Sequence, residues 1–320
     1  GLLYEDGQYI PVDINKAIHY YSLAANSNHL LAQLNLGDIY QGKYIEKDIN
    51  KAIHYYSLAA NQNDPNAQLN LGVIYNEGEY VPRNITKAIH FYKLAAEQNA
   101  VDAQYNLGGI YYYEKYIPRD INRAIYYFSL AANQNDLRSQ HILGIIYEEG
   151  KFIARDIKKA IHYFTLAANQ NDPQSQFELG LIYYQNKYVS RDIEKPIHYF
   201  TLAANQNHIK SQFNLGFIYS KGYYNTRDIK KAIHFYQLAA NQNDTNSQLN
   251  LGIIYSSDQY KEIDIDKAIY YLNLAAYQND KKAQFNLGLL YYQNQHCKFD
   301  INKSIHYFSL AAKNNHPKAN

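Results

Sequence analysis

DPNAQLNLGVIYNEGEYVPRNITKAIHFYKLAAEQN, residues 64–99, decides the fold. Asp64-Pro65 is an N-cap followed by a proline at the first helical position, where a missing N–H costs nothing. Ala67, Leu71, Ile74 and Tyr75 then fall at helical spacing and give a first helix, helix A, its apolar face. Gly78 supplies the left-handed residue that ends it. Asn84 caps a second helix, helix B, in which Ile85, Ala88, Ile89, Tyr92, Ala95 and Ala96 form one helical stripe. Paired alanines let two helix backbones approach closely, so they mark where helix B meets helix A.

The same unit recurs along the chain. A glycine stands at positions 1, 37, 72, 108, 144, 180, 216, 252 and 288, in steps of 36 residues apart from one of 35. A leucine precedes each internal one, as in Leu36-Gly37 and Leu71-Gly72, and a Tyr follows three residues later, from Tyr4 and Tyr40 to Tyr291. Such a period means one supersecondary unit stacked many times. The helix B cap is Asp13, Asp48, Asp120, Asp156, Asp192, Asp228, Asp264 and Asp300 in the other repeats, each contributing about 1 kcal/mol. Counted from the cap, positions +1 and +5 are always Ile and positions +11 and +12 always Ala-Ala. The place of Gly78 is taken by Gly7, Gly150 and Gly222, by Asn186, Asp258 or Asn294, and exceptionally by Glu114; the shortened second unit loses its residue in this same loop. The expected architecture is all-α: a right-handed α-α superhelix, or solenoid, of about nine helix-turn-helix repeats forming one domain over residues 1–320.

Bulk composition removes several classes of function. The 31 Lys+Arg nearly balance the 29 Asp+Glu, leaving +2 and no net field to draw phosphate polymers to the surface. The single cysteine excludes a disulfide framework and favours a reducing compartment, with a cytoplasmic location expected and the endoplasmic-reticulum lumen as the alternative. No apolar run reaches the roughly 18 residues of a membrane span. The chain opens within a repeat at Gly1, contains no methionine and stops at Asn320 short of the next repeat, which suggests an excerpt of a longer protein. No hydrolytic triad, metal cluster or phosphate-cradling loop is visible, so neither catalysis nor a cofactor is expected of this segment.

The residues also carry a resemblance. Ala67-Leu71-Gly72-Tyr75-Gly78 on helix A and Asp48-Lys51-Ala52-Tyr55-Tyr56-Ala59-Ala60 on helix B resemble the Sel-one-like repeat family (SLR), a relative of tetratricopeptide repeats, and the match runs the length of the chain. Pro196 and Ser304 depart from the Ala at +4, and the family's usual Trp at +7 is here always Tyr or Phe. The resemblance implies a tetratricopeptide-like superhelical adaptor that holds other proteins together. Relatives serve in endoplasmic-reticulum-associated degradation, cell-wall regulation and signalling, and in arrays joined to kinase domains. A cysteine-rich bacterial branch, with a disulfide in each repeat, does not match a chain whose one cysteine is Cys297.

By analogy with tetratricopeptide arrays, a partner lies along helix A at offsets −3, −2, +1 and +4 from the repeat glycine. Offset −2 is Asn35, Asn70, Asn106, Asn214, Asn250 and Asn286, interrupted by Ile142 and Glu178. An Asn offers both donor and acceptor, so a ladder of them suits the backbone of an extended peptide. Offset −3 includes Tyr105, Phe177, Phe213 and Phe285, whose rings suit peptide side chains. The alternative is structural: the Asn amides bond neighbouring helix backbones and the −3 residues fill space between repeats. The expected partner is therefore a protein or peptide, with no nucleic acid, since the inner helix A positions are Asn, apolar or acidic. The competing assignments are a regulatory arm of an enzyme, such as a kinase encoded outside this segment together with further repeats, and a lumenal degradation adaptor.

Other recurrences have plainer readings. His19, His54, His90, His162, His198, His234 and His306 all sit at +6 of helix B. Adjacent helices lie roughly 8–10 Å apart whereas metal ligands lie about 2 Å from their ion, so this column is a solvated face and no metal site. The Leu at +10 of every helix B is either lateral packing or an apolar ridge on the convex face. Arg83, Arg119, Arg155, Arg191 and Arg227 precede five consecutive caps, as a basic edge or as solvated residues paired with carboxylates. Cys297 takes the place of a loop Ile or Val, which marks a small core residue. Sequons at Asn84, Asn243 and Asn302 are expected by chance in so Asn-rich a chain.

Overall fold

A computed structural model describes residues 1–113, 115, 117–185, 193–222, 227–257, 263–293 and 300–319. Among these the regular structure is helical throughout. Two compact units, Gly1–Leu166 and Ala167–Asn320, make up the chain, the division falling within one helix. The helices are α1 (Leu2–Asp6), α2 (Ile14–Asn26), α3 (Leu30–Asp38), α4 (Ile49–Asn61), α5 (Pro65–Glu77), α6 (Ile85–Glu97), α7 (Val101–Tyr113), α8 (Ile121–Asn133), α9 (Leu137–Glu149) and α10 (Ile157–Asn169), followed by α11 (Pro173–Gln185), α12 (Glu194–Asn205), α13 (Ile209–Lys221), α14 (Ile229–Ala240), α15 (Thr245–Ser256), α16 (Ile265–Tyr277), α17 (Lys281–Tyr292) and α18 (Ile301–Lys313). Odd-numbered helices are the A helices and even-numbered ones the B helices, as the repeat predicts.

The helix boundaries follow from local chemistry. Asp13, Asp48, Asn84, Asp120, Asp228, Asp264 and Asp300 each accept a hydrogen bond from the backbone N–H three residues on, as N-caps should. Asp64 does the same for Ala67, with Pro65 opening α5. Gly7, Gly78, Gly150 and Gly222 end their helices at φ between 62° and 70°. The short second unit closes differently: Ile39–Lys43 forms a π-turn in which Gly42 takes φ 108°. Pro196 lies in the first turn of α12, which starts at Glu194 and runs on unbroken. The expected caps Asp192, Asn186, Asp258 and Asn294 and the exceptional Glu114 lie outside the described residues.

The return from helix B to helix A uses a residue that the periodic reading passed over. Asn28, Asn63, Asn99, Asn135, Asn171, Asn207, Asn243, Asn279 and Asn315 all have φ between 59° and 65°, the left-handed conformation Asn tolerates best after Gly. The next residue's N–H turns back onto a helix B carbonyl, as from Asp64 to Ala59 at 3.3 Å. Asp64 then caps α5 at once, so the reversal takes only Gln62, Asn63 and Asp64.

The core sits between successive helices. In the first unit Ala88, Tyr92, Ala95, Ala103, Leu107, Ala124, Phe128 and Leu143 join one buried cluster. In the second, Ala232, Tyr236, Leu251, Ile254 and Ala268 do so. These are the +4, +8, +11 and +12 positions of helix B and the Ala-Leu face of helix A. Ser304, standing where the other repeats carry Ala or Pro196, is buried and donates to the Gly288 carbonyl at 2.9 Å, so its hydroxyl is satisfied.

Candidate functional site

The invariant residues are bound up in three packing devices. The first is the repeat glycine. A Cβ on Gly37 would lie 2.4 Å from the Tyr56 ring, on Gly108 2.6 Å from Phe128, and on Gly216 2.6 Å from Tyr236. Helix A must lack a side chain there so that the +8 ring of helix B can lie against its backbone. Burying such a ring contributes roughly 2–3 kcal/mol.

The second device is the Tyr that follows by three. Tyr40 stacks on Tyr55 at 5.8 Å with the planes 4° apart, and Lys51 sits 4.9 Å over its ring. His54 then meets Tyr55 edge-on at 5.0 Å. The same group of four recurs at Lys159, Tyr147, Tyr163 and His162, and at Lys231, Tyr219, Phe235 and His234. The Tyr carbonyl also accepts from the cap N–H, as from Asp48 to Tyr40 at 2.8 Å. This fastens the A-to-B turn at both ends, and it gives the +6 histidines a definite place: an exposed position at the rim of an aromatic stack.

The third device is a buried glutamine relay. Gln33, Gln68, Gln104, Gln140, Gln176, Gln212, Gln248 and Gln284, four residues before the repeat glycines, are each 1% exposed. Gln104 donates to the Ala96 carbonyl at the end of α6 (3.2 Å) and accepts from Gln134 at the end of α8 (2.9 Å), tying three helices together. In the second unit Gln212 joins Ala204 and Gln242 in the same way, at 3.1 and 2.9 Å. The amide ladder inferred at offset −2 has this stronger counterpart at offset −4. Its signal was available as the Ala-Gln or Ser-Gln pair that precedes every internal repeat glycine by four to five residues.

The residues predicted to bind a partner lie half-buried on the A helices. In the first unit Asn35 faces the Tyr21 hydroxyl and Asn70 the Tyr56 hydroxyl. In the second, Asn214 and Asn250 donate to carbonyls of their own helix, Lys210 and Asn246, both at 2.8 Å, and Asn286 is half-buried on α17. Asn106 lines a cavity described below. Each −3 ring rests on the +8 ring of its own repeat. Tyr105 lies 5.9 Å from Phe128, Phe213 5.9 Å from Tyr236, and Phe285 5.4 Å from Phe308. Phe177 is enclosed between Phe200 and His208, with 6% of it exposed. Tyr105, Phe213 and Phe285 keep part of their surface in solvent.

In three repeats offset +4 meets the hydroxyl of a +8 Tyr. Tyr21 donates to Glu5 at 2.6 Å and Ser220 meets Tyr236 at 3.3 Å, while the Tyr56 hydroxyl lies 2.6 Å from the Asp38 carboxylate at offset +1 and 2.7 Å from Gln41 at offset +4. Lys43 of the next repeat also reaches Glu5, at 2.8 Å. Burial acts to raise the Glu5 pKa, but hydrogen bonds from Lys43 and Tyr21 and the Lys43 charge outweigh it, so the carboxyl titrates below its ordinary range. Burial and the same carboxylate push Tyr21 up. This offset is therefore partly withdrawn from the surface the sequence assigned to a partner.

The first unit holds an open cavity of about 250 Å³ where α5, α6 and α7 meet. Tyr105, Asn106, Gly109 and Tyr113 of α7 form one side of it, Asn76, Arg83 and Ile85 the other. Arg83 donates to Asn76 at 3.0 Å, and Arg119 donates to the Tyr112 carbonyl at 2.7 Å while lying 3.8 Å over Phe152. Arg191 and Cys297 lie outside the described residues. The +10 leucines are half-buried in most repeats and exposed at Leu23 and Leu202. Among the described residues no group of His, Cys, Asp and Glu is arranged to hold a metal, and no helix is long and apolar enough to cross a membrane.

A family model described as Sel1 repeat matches residues 1–29, 30–64, 65–99, 101–136, 137–172, 173–208, 209–244, 245–280 and 281–316. From the second onward, each matched segment holds one A helix and the B helix that follows it. Among solved structures, the chain is similar to a protective antigen present in uropathogenic Escherichia coli strains that displays an SLR fold. Identity is 28% and the TM-score 0.83, over 99% of this chain and 68% of that one. It is also similar to a Sel1 repeat protein from Oxalobacter formigenes, at 25% identity and a TM-score of 0.75, over 94% of this chain and 88% of that one. Among curated proteins none matches.

Proposed function

The chain belongs to the Sel1 repeat family, whose members generally act as protein–protein interaction scaffolds and are typically non-catalytic; on that premise we propose that it binds an extended peptide segment of a partner protein along its A helices. What supports this is the division of labour within the repeat. The apolar stripe of helix B, the repeat glycine, the following Tyr and the −4 Gln are committed to packing, whereas helix A offsets −3, −2 and +1 vary between repeats and are half-exposed in most of them, Phe177 and Leu249 being buried. A partner that discriminates between repeats can read these positions. They pair an amide with a ring, the combination that fixes a peptide backbone and one side chain together. The observation that carries the reading is the cavity beside Tyr105 and Asn106, where two predicted contact residues border open space of about 250 Å³.

The test is selection of peptides from a displayed random library on the intact chain. Affinities are then measured for the chain and for a variant with Asn70, Asn106, Asn214 and Asn250 changed to Ala. Selected peptides should bind the variant about tenfold or more weakly while its helicity is unchanged. Equal affinity for both proteins removes the reading.

A further inference from the structure

We infer that Gly109 opens a subsite in the first unit, which takes one large apolar side chain of the bound peptide and holds a neighbouring carboxylate of that peptide against Arg83 and Lys115. The inference rests on the peptide-binding reading above and names the ligand for one part of that surface.

Offset +1 carries a side chain in the other repeats, among them Val73, Ile145, Leu181 and Phe217. Only the repeat at Gly108 places a second glycine there. Neither of the usual reasons for a glycine applies. Gly109 lies inside α7 and is absent from the residues of positive φ, so no left-handed backbone requires it. A Cβ built on it meets only the Tyr113 ring, at 4.0 Å, so no close approach requires it either. Its neighbour Gly108, with Phe128 at 2.6 Å from the same construction, shows what such a requirement looks like. A mid-helix glycine destabilises relative to alanine, so Gly109 contributes nothing to the fold that alanine would not. What it contributes is the open volume.

The dimensions and lining identify the occupant. Cofactor and drug-sized pockets run about 300–1,000 Å³, and this cavity, at about 250 Å³, suits a single large side chain. Tyr105 and Tyr113 wall it, with Asn106 beside them to meet a peptide backbone. Tyr105 is fixed in advance: Arg138 covers its ring at 4.1 Å and is itself held by Asp102 and Asp136 at 2.6 and 2.8 Å. Arg83, which also bonds Asn76, and Lys115 line the cavity and give it a cationic edge. The complement is an extended peptide in which a Leu, Phe or Trp is followed by an Asp, a Glu or the chain's own terminal carboxylate.

The experiment uses short synthetic peptides with Leu, Phe or Trp before Glu, matched peptides with Ala at the anchor or Gln for Glu, and the library-selected peptides as a reference. Binding is measured by fluorescence anisotropy to the intact chain, to Gly109→Leu, and to the double variant Arg83→Gln, Lys115→Gln. Leu occupies this offset at Leu181 and Leu289, so Gly109→Leu should fold with an unchanged or higher thermal midpoint. Gly109→Ala serves as a milder filling. Anchored peptides should bind the intact chain and lose about tenfold or more on Gly109→Leu, with a smaller loss on Gly109→Ala. The preference for Glu over Gln should vanish in the double variant. If reference peptides bind and anchored ones do not, or if Gly109→Leu leaves anchored binding unchanged, the subsite is overturned while the scaffold reading stands. If no peptide of either set binds, both fall.

Discussion

Helices α7 and α9 belong to consecutive repeats of one unit and are built on the same packing residues. Gly108 and Gly144 each leave room for a Phe ring, with a Cβ at 2.6 and 2.5 Å respectively. Gln104 and Gln140 each reach back to the preceding helix B, at 3.2 and 3.1 Å. Tyr111 and Tyr147 each stack on a Tyr of the following helix, at 5.9 and 5.8 Å. Yet where α7 presents Asn106 and Gly109, α9 presents the half-buried Ile142 and Ile145. The backbone task is thus held constant while one face is rewritten. Two adjacent glycines of α7 show the divide most sharply: Gly108 belongs to the constant part and Gly109 to the rewritten one.

The largest way to break the comparison is to treat the constant glycine as though it were variable. Gly108→Val drives a branched side chain into the Phe128 ring, which is fully buried and has nowhere to move. Overpacking of this kind costs about 3 kcal/mol, and Gly144→Val against Phe164 should cost the same. Urea titration of both variants measures it. A loss under about 1 kcal/mol at either site would mean that the repeat glycine is not a steric necessity.

A smaller effect tests whether the two helices share the glutamine relay equally. Gln104→Leu keeps the volume but removes the bonds to the Ala96 carbonyl, which keeps the Asn99 N–H, and from the exposed Gln134 amide, a loss of roughly 1–2 kcal/mol. Gln140→Leu removes the same bond to the Ala132 carbonyl, which keeps the Asn135 N–H, and should match it. Hydrogen exchange at the ends of α6 and α8 offers a local check, since protection should fall there first.

Much of this architecture was legible because most of it is periodic. The caps, the repeat glycine, the following Tyr and the Ala pairs recur at fixed offsets, and each recurrence has one physical cause. The relay escaped notice because a buried glutamine and a solvated one look alike in composition, and Asn drew attention to offset −2 instead. The left-handed asparagines at the B-to-A turn were hidden for the same reason, since Asn63 stands among other amides at the end of α4. Helix A's surface was only partly legible. Offset +4 looked exposed, yet Glu5 and Ser220 turned out to serve the +8 tyrosines, a pairing across sixteen residues that no local pattern reveals. Gly109 was a departure from the period rather than a part of it. Periodic reasoning is least sensitive to a single absent side chain.

The smallest predicted effect is for that reason the sharpest test of the divide. Gly109→Ala adds one methyl group to the middle of α7, where backbone entropy favours Ala and the added Cβ approaches only the Tyr113 ring, at 4.0 Å. The variant should gain roughly 0.5 kcal/mol of stability. Gly108→Ala, one residue earlier, places the same methyl group 2.6 Å from Phe128 and should destabilise. One substitution at neighbouring positions is thus expected to give opposite signs, read from the urea midpoints of the two proteins side by side. Matching signs would mean that both glycines answer to packing, and the cavity beside Gly109 would then be a by-product of the fold. Opposite signs leave Gly109 with no structural reason to be glycine, so its reason has to be sought in what fills the space it leaves.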